Sequence, residues 1–171
     1  IIRYLYVNQR ICDLFREKRI EKVAEIGIGF GGQIAVTSKS LNVNDFSAYD
    51  LPVVLDLAKK TLEKTELLPS TFTKKSIDPV EPEIYDLVIS NYAFSELPKV
   101  IQRDYIFKIL SKSRCGYITM NSGRSDVSGR SAGKMNLAEL AELLPPFEIL
   151  EEDPKTGPDN YLIVWGHQQF G

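Results

Sequence analysis

Four glycines, Gly27, Gly29, Gly31 and Gly32, stand within six positions of the stretch EKVAEIGIGFGGQ, directly behind a short apolar run. Glycine lets a chain turn tightly and lets a ligand approach the backbone with no Cβ in the way. Two registers fit: Gly27, Gly29 and Gly32 satisfy G-x-G-x-x-G, while Gly27, Gly29 and Gly31 satisfy a tighter G-x-G-x-G. Asp50 follows the glycines by roughly 20 residues, where a carboxylate ending the next strand can accept hydrogen bonds from both hydroxyls of a ribose. The competing use of Asp50 is a helix N-cap ahead of Pro52. Together these residues point to a ribose-bearing ligand, and they do not separate a nicotinamide cofactor from S-adenosylmethionine.

Such glycines need a strand before them and a helix after. VAEIGIG at 23–29 has the pattern of a buried strand, and QIAVTSKSL behind it can form a helix. A second strand is predicted over 45–51, and Pro52 suits the first turn of the helix that follows, where its missing N–H costs nothing. Thr71 to Ile77 reads as a third strand with PVEPE as its loop, and IYDLVISNYAF at 84–94 contains the clearest buried strand, the fourth. Pro98 opens a helix through KVIQRDYIFKILSKS, and CGYITMNS at 115–122 is a fifth strand. This alternation at βαβ length predicts an α/β fold, a mostly parallel sheet with helices on both faces.

The end of the chain breaks the pattern. MNLAELAELL at 135–144 is a helix, and FEILEED at 147–153 and YLIVWGH at 161–167 are strands six and seven. DPKTGPDN between them is too short for a parallel crossover, which needs about a dozen residues, so the last pair should be an antiparallel hairpin. At the other end, apolar Ile1, Leu5, Ile11, Leu14 and Phe15 follow a helical period, giving an N-terminal helix within residues 1–20. Because the chain opens on Ile1 in mid-helix, a piece of a longer protein is expected, folded as one domain over 1–171.

Composition narrows the partners. With 171 residues, 43% of them hydrophobic, the chain can bury one core. A net charge of −2 without a long basic run argues against nucleic acid. Cys12 and Cys115 lie far apart and there is one histidine, so no metal or disulfide spacing is met; two reduced, buried thiols of a cytoplasmic protein are expected. No apolar run nears the roughly 20 residues that span a bilayer, and membrane insertion is not expected.

Further features carry a family resemblance. Glu25 stands two residues before the first glycine in E-I-G-I-G-F-G-G, YDLVISNYAFSELP follows the fourth strand, and a hairpin ends the chain. Over about residues 20 to 167 these resemble the class I S-adenosylmethionine-dependent methyltransferases, which have a Rossmann-like, seven-stranded sheet. The resemblance implies that Glu25 helps hold the methionine part of S-adenosyl-L-methionine, that Asp50, with Leu51 beside it, holds the ribose, and that Ser90, Asn91 and Tyr92 border cofactor and substrate. It also places Asp78 near the adenine. Within the superfamily, YDLPVVLDLAKKTL and ISNYAFSELPKVIQRDY look like the sugar O-methyltransferases of bacterial surface-polysaccharide clusters, which implies a small-molecule or saccharide acceptor.

Methyl transfer to an unactivated hydroxyl needs a positioned acceptor and a base. Glu96, just past the fourth strand, is the candidate base, and Tyr92 the residue shaping the acceptor pocket; a helix-capping carboxylate is the competing use of Glu96. Arg103 and Asp104 read as a solvated face and Trp165 as core. His167 is assigned no catalytic role, because its strand should run antiparallel and end away from the cofactor. Arg124, Arg130 and Lys134 lie in a polar loop that either grips an acidic acceptor or is an ordinary loop. Some sugar methyltransferases use a divalent metal, but no carboxylate cluster in the sequence would hold one. A nicotinamide oxidoreductase and a non-catalytic scaffold are the alternative functions. The sequence does not specify the oligomeric state.

Overall fold

The computed structural model describes residues 2–76, 78–124 and 129–167. Its elements in order are α1 (Ile2–Leu14), β1 (Lys22–Ile26), α2 (Gly32–Ser40), β2 (Asp45–Asp50), α3 (Pro52–Lys64), β3 (Thr71–Ser76) and β4 (Leu87–Asn91). After these come α4 (Ala93–Glu96), α5 (Lys99–Lys108) with a 3₁₀ turn at Leu110–Lys112, β5 (Cys115–Met120), α6 (Leu137–Leu143), β6 (Glu148–Glu151) and β7 (Tyr161–Trp165). The strands form one sheet in the order β3-β2-β1-β4-β5-β7-β6. The first five are parallel to one another, and β7 runs antiparallel to both β5 and β6. The seven-stranded, Rossmann-like arrangement and its terminal hairpin match the sequence expectation.

Side-chain alternation divides the core in two. Ala24, Ile26, Val88, Ile118 and Ile163 face α5 and α6, whereas Val23, Ile89, Tyr117, Leu162 and Val164 face α1, α2 and α3. The glycine loop and the ends of β1, β2 and β4 lie at the carboxyl edge of the sheet. The strand order reverses between β1 and β4, the switch point at which open α/β sheets bind ligands.

Several sequence expectations are corrected. The fourth strand occupies Leu87–Asn91 inside the expected stretch 84–94; Ile84, ahead of the pairing with β1 and β5, is 65% exposed. Strands one, two, five, six and seven stop short of their predicted ends. The end predicted for the third strand, Ile77, lies outside the described residues, as do Ile1 and residues 125–128 of the polar loop. On α1, Leu5 is 52% exposed and the buried stripe is Val7, Ile11 and the following Phe15. Cys12 is only half-buried, while Cys115 is buried, and both are free thiols. The four-residue α4 was not foreseen, and Pro98 caps α5 from outside rather than lying within it. For α6, Asn136 and Glu139 form a reciprocal capping box. Among the described residues no helix is long and apolar enough to cross a membrane.

Candidate functional site

The glycines do different work. A Cβ on Gly27 would lie 2.0 Å from that of Ala93, so this glycine is needed to bring β1 against the start of α4. Gly31 and Gly32 pack against Leu62 and the ring of Tyr4. Gly29 alone of the four, at φ 54°, has nothing within 4 Å of its Cβ direction. It is therefore at Gly29 that the loop presents bare backbone to open space.

Asp50 holds this loop in place. Its Oδ2 accepts from the Gly29 N–H at 3.3 Å and its Oδ1 from the Leu51 N–H at 2.8 Å. The N-cap of α3 is Leu51, with no side-chain cap, so the alternative use of Asp50 as an N-cap is not realised. Asp78 lies two residues past Ser76, the β3 residue paired with Asp50. It is exposed, and its N–H donates to the Ser76 hydroxyl at 3.2 Å.

Glu25 is 2% exposed, beneath α2. Burial, and then the charge of Asp50, push its carboxyl well above the usual range, against a hydrogen bond from the Ile34 backbone. Its Oε2 is buried without a partner among the described residues, as is Oδ1 of Asn91, which lies on the same face of the sheet. Gln33, buried on the first turn of α2, accepts from Asn91 at 3.5 Å and donates to Thr37 at 3.0 Å. Buried acceptors without donors are rare in proteins and mark places where a donor belongs. Ser90 points the other way: its hydroxyl donates to the Ile26 carbonyl at 2.9 Å and accepts from the Phe94 N–H at 3.0 Å, a joint between β1 and α4.

Tyr92 opens α4 at φ 69°, a left-handed conformation that is costly for a side chain of this size and is concentrated at functional sites. Its hydroxyl donates to Glu152, is approached by Arg3, and lies 2.9 Å from Thr156. Arg3 pairs with Glu152 at 3.0 Å and stacks over the Tyr92 ring. Burial alone would raise the Glu152 carboxyl, but bonds from Tyr92, the Thr156 backbone, Asn160 and Arg3 bring it down to about 2. Glu96 is exposed; its Oε1 accepts from Asn121 at 2.9 Å, and Asn121 is fixed in turn by Ser95 at 2.8 Å. Glu96 thus stands over the end of β5, not in a helix-capping bond.

The remaining candidates lie elsewhere. Arg124 is paired with Glu151 at 2.5 Å on the surface. Arg130 is exposed and Lys134 half-buried. His167 meets Glu148 at 2.8 Å, past the end of β7 remote from the glycines, as expected. Trp165 is core, donating to the Ser113 carbonyl at 3.2 Å. Among the described residues no group of three or more His, Cys, Asp and Glu could hold a metal. Sequence reasoning missed Arg3, Tyr4, Gln33 and Glu152. Of these only Gln33 had a local signal, a polar residue on the buried first turn of the helix behind the glycines.

No family model and no curated protein matches the sequence. Solved structures do. The methyltransferase domain of bacterial CtHen1-C aligns at a TM-score of 0.68 and 14% identity, over 95% of each chain. Mitomycin 7-O-methyltransferase MmcR aligns at 0.67 and 14% identity, over 94% of this chain and 52% of that one. The N-terminal domain of EvdMO1, solved in the presence of S-adenosylhomocysteine and D-fucose, aligns at 0.67 and 13% identity, over 94% and 80%. The chain therefore spans nearly all of the first protein and about half of the second. At these identities the likeness establishes the fold, a Rossmann-like methyltransferase fold.

Proposed function

We propose that this chain is an S-adenosylmethionine-dependent methyltransferase acting on a hydroxyl of a small-molecule or saccharide acceptor. The observation that carries the reading is the pair of acids at the switch point. The buried, unpartnered Oε2 of Glu25 suits the ammonium of a methionine moiety, while Asp50 beside open Gly29 suits ribose hydroxyls. Asn91 offers a second acceptor on the Glu25 face, and Asp78, two residues past the β3 residue paired with Asp50, is the proposed neighbour of the adenine. Bound there, the cofactor supplies an electrophilic sulfonium methyl group.

The chain's own work is to place the acceptor and take its proton. Glu96, aimed by Asn121, is the proposed base, and Tyr92, locked by Glu152 and Arg3, shapes the wall of the acceptor pocket. A saccharide is supported by the sequence resemblance and by the D-fucose of the EvdMO1 neighbour. A nicotinamide oxidoreductase is disfavoured by the sheet: the dinucleotide-binding order 3-2-1-4-5-6 has no antiparallel strand inserted beside the fifth, as β7 is here.

Calorimetric titration with S-adenosylhomocysteine, NADH and the Asp50→Ala variant tests this. Micromolar binding of the first ligand alone, about −8 kcal/mol and weakened in the variant, is expected. Binding of NADH in preference, or of neither, would overturn the cofactor assignment.

A further inference from the structure

A cavity of about 310 Å³ lies between α1 and the sheet surface formed by β5 and β7. Its walls are apolar, with Ile2, Val7, Leu162 and Pro154 among them, and Glu152 and Thr156 close it at the carboxyl edge of the sheet. The Arg3–Tyr92–Glu152 group joins that end to the cofactor loop. The cavity also reaches Thr119, which pairs in register with Asn91 and whose carbonyl accepts from the Tyr92 N–H at 3.0 Å. It thus borders the place where an acceptor would meet the cofactor.

Three polar groups converge on this apolar space. Tyr117, 5% exposed, has no hydrogen-bond partner among the described residues, and the charged groups that its phenol feels, Arg10, Arg3 and Glu152, all line the cavity. Thr119, 4% exposed, likewise has a hydroxyl without a partner among the described residues. Arg10 contacts the Tyr6 hydroxyl, and no described carboxylate lies within ion-pair distance of it. Three carboxylates line the cavity as well: Glu152 pairs with Arg3, Glu151 with Arg124 and Lys155, and Asp153 accepts at 2.7 Å from the Tyr6 hydroxyl that Arg10 also contacts; Asp13, nearby on α1, is held by Arg16 and Gln9. An apolar pocket with a few convergent polar groups, in which Arg10 makes no direct ion pair among the described residues, can take an organic acid whose carboxylate meets that arginine.

We propose that this cavity receives the apolar body of a hydroxylated acid, its anionic group on Arg10 and its polar atoms on Tyr117 and Thr119, and that this acid is the methyl acceptor. The acceptor role rests on the methyltransferase reading; the binding itself does not. A bare sugar, polar on every edge, would leave Ile2, Val7, Pro154 and Leu162 without complementary surface.

Protein-observed NMR titration tests the site with 4-hydroxybenzoate, phenol and D-fucose, each with and without saturating S-adenosylhomocysteine. The expected result is that 4-hydroxybenzoate shifts the amides of Arg10, Tyr117 and Thr119 and that phenol needs roughly tenfold more ligand, the contribution of a charge-assisted bond. Arg10→Gln should weaken 4-hydroxybenzoate by a similar factor and leave S-adenosylhomocysteine affinity unchanged. Tyr117→Phe should weaken it while keeping the parent melting temperature, since no protein bond is lost. The proposal is overturned if D-fucose shifts these amides and 4-hydroxybenzoate does not, if Arg10→Gln binds like the parent, or if none of the three binds. Should S-adenosylhomocysteine fail to bind while 4-hydroxybenzoate succeeds, the methyltransferase reading falls and the anion site stands.

Discussion

The carboxyl of Glu25, buried on β1 against the start of α2, feels the charge of Asp50 at the end of β2, and Asp50 in turn holds the open loop at Gly29. Two acids held together without a cation between them store unfavourable energy in the free protein. A ligand carrying an ammonium near one and hydroxyls near the other relieves it.

Glu25→Gln separates stability from binding. The folded state raises this pKa above its unfolded value of about 4.3. The stability that goes with the protonated form is complete below that value and is lost as pH rises through the folded pKa. The glutamine variant removes this loss. It should melt higher than the parent near neutral pH, converge with it near pH 4, and bind S-adenosylhomocysteine roughly 10- to 100-fold more weakly, as expected for a lost charge-assisted bond. Thermal melts across pH with parallel calorimetry check both; a variant that melts lower at pH 7 and binds normally would assign Glu25 a purely structural role.

Gly29→Ala and Gly27→Ala should differ in kind. At Gly29 there is room for a methyl, so the cost is the left-handed backbone, about 1 kcal/mol, plus a clash with any ligand crossing the loop. At Gly27 the methyl would meet Ala93 at 2.0 Å, so β1 and α4 must move apart. The first variant should fold and lose cofactor affinity. The second should lose stability first, visible as a lower melting temperature without ligand.

These contrasts show how far the sequence could be read. The glycines, Asp50 and Glu25 were legible because strand, turn and helix place them within one local unit, and so was the hairpin, forced by the short DPKTGPDN link. Leu5 was misplaced because an apolar residue at helical spacing carries no label for which face is buried, and Val7 with Ile11 decided it. The stretch 84–94 reads as containing a strand, but apolar runs do not announce where pairing partners begin, and that strand occupies Leu87–Asn91. The Arg3–Glu152 pair joins the two ends of the chain, and nothing local in the sequence marks it.

Glu152→Gln tests that long-range pair. Its carboxyl sits at about 2, below the unfolded value near 4.3, so it adds stability that is present above the unfolded value and lost as pH falls through the folded one. The parent should lose stability between about pH 4 and pH 2 more steeply than the variant. At pH 7 the variant should be destabilised by about 1–2 kcal/mol, discounted because Arg3 is 39% exposed. Urea melts at pH 7 and pH 3 give the comparison, and equal pH slopes would remove Glu152 from the acid sensitivity.

Glu96→Gln bears on the chemistry alone. Glu96 is exposed and its bond to Asn121 is one a glutamine oxygen can accept, so fold and cofactor affinity should survive. Removing a general base typically costs about 10²- to 10⁴-fold in rate. With an accepted hydroxyl substrate, the variant should therefore lose kcat with KM nearly constant, and the loss should not be recovered by raising S-adenosylmethionine. Asn121→Ala, which frees Glu96 without removing its charge, should fall between parent and Glu96→Gln. If Asn121→Ala were as impaired as Glu96→Gln while cofactor binding held, aiming the carboxylate would matter as much as possessing it; if both variants kept the parent rate, the base would have to be sought outside α4.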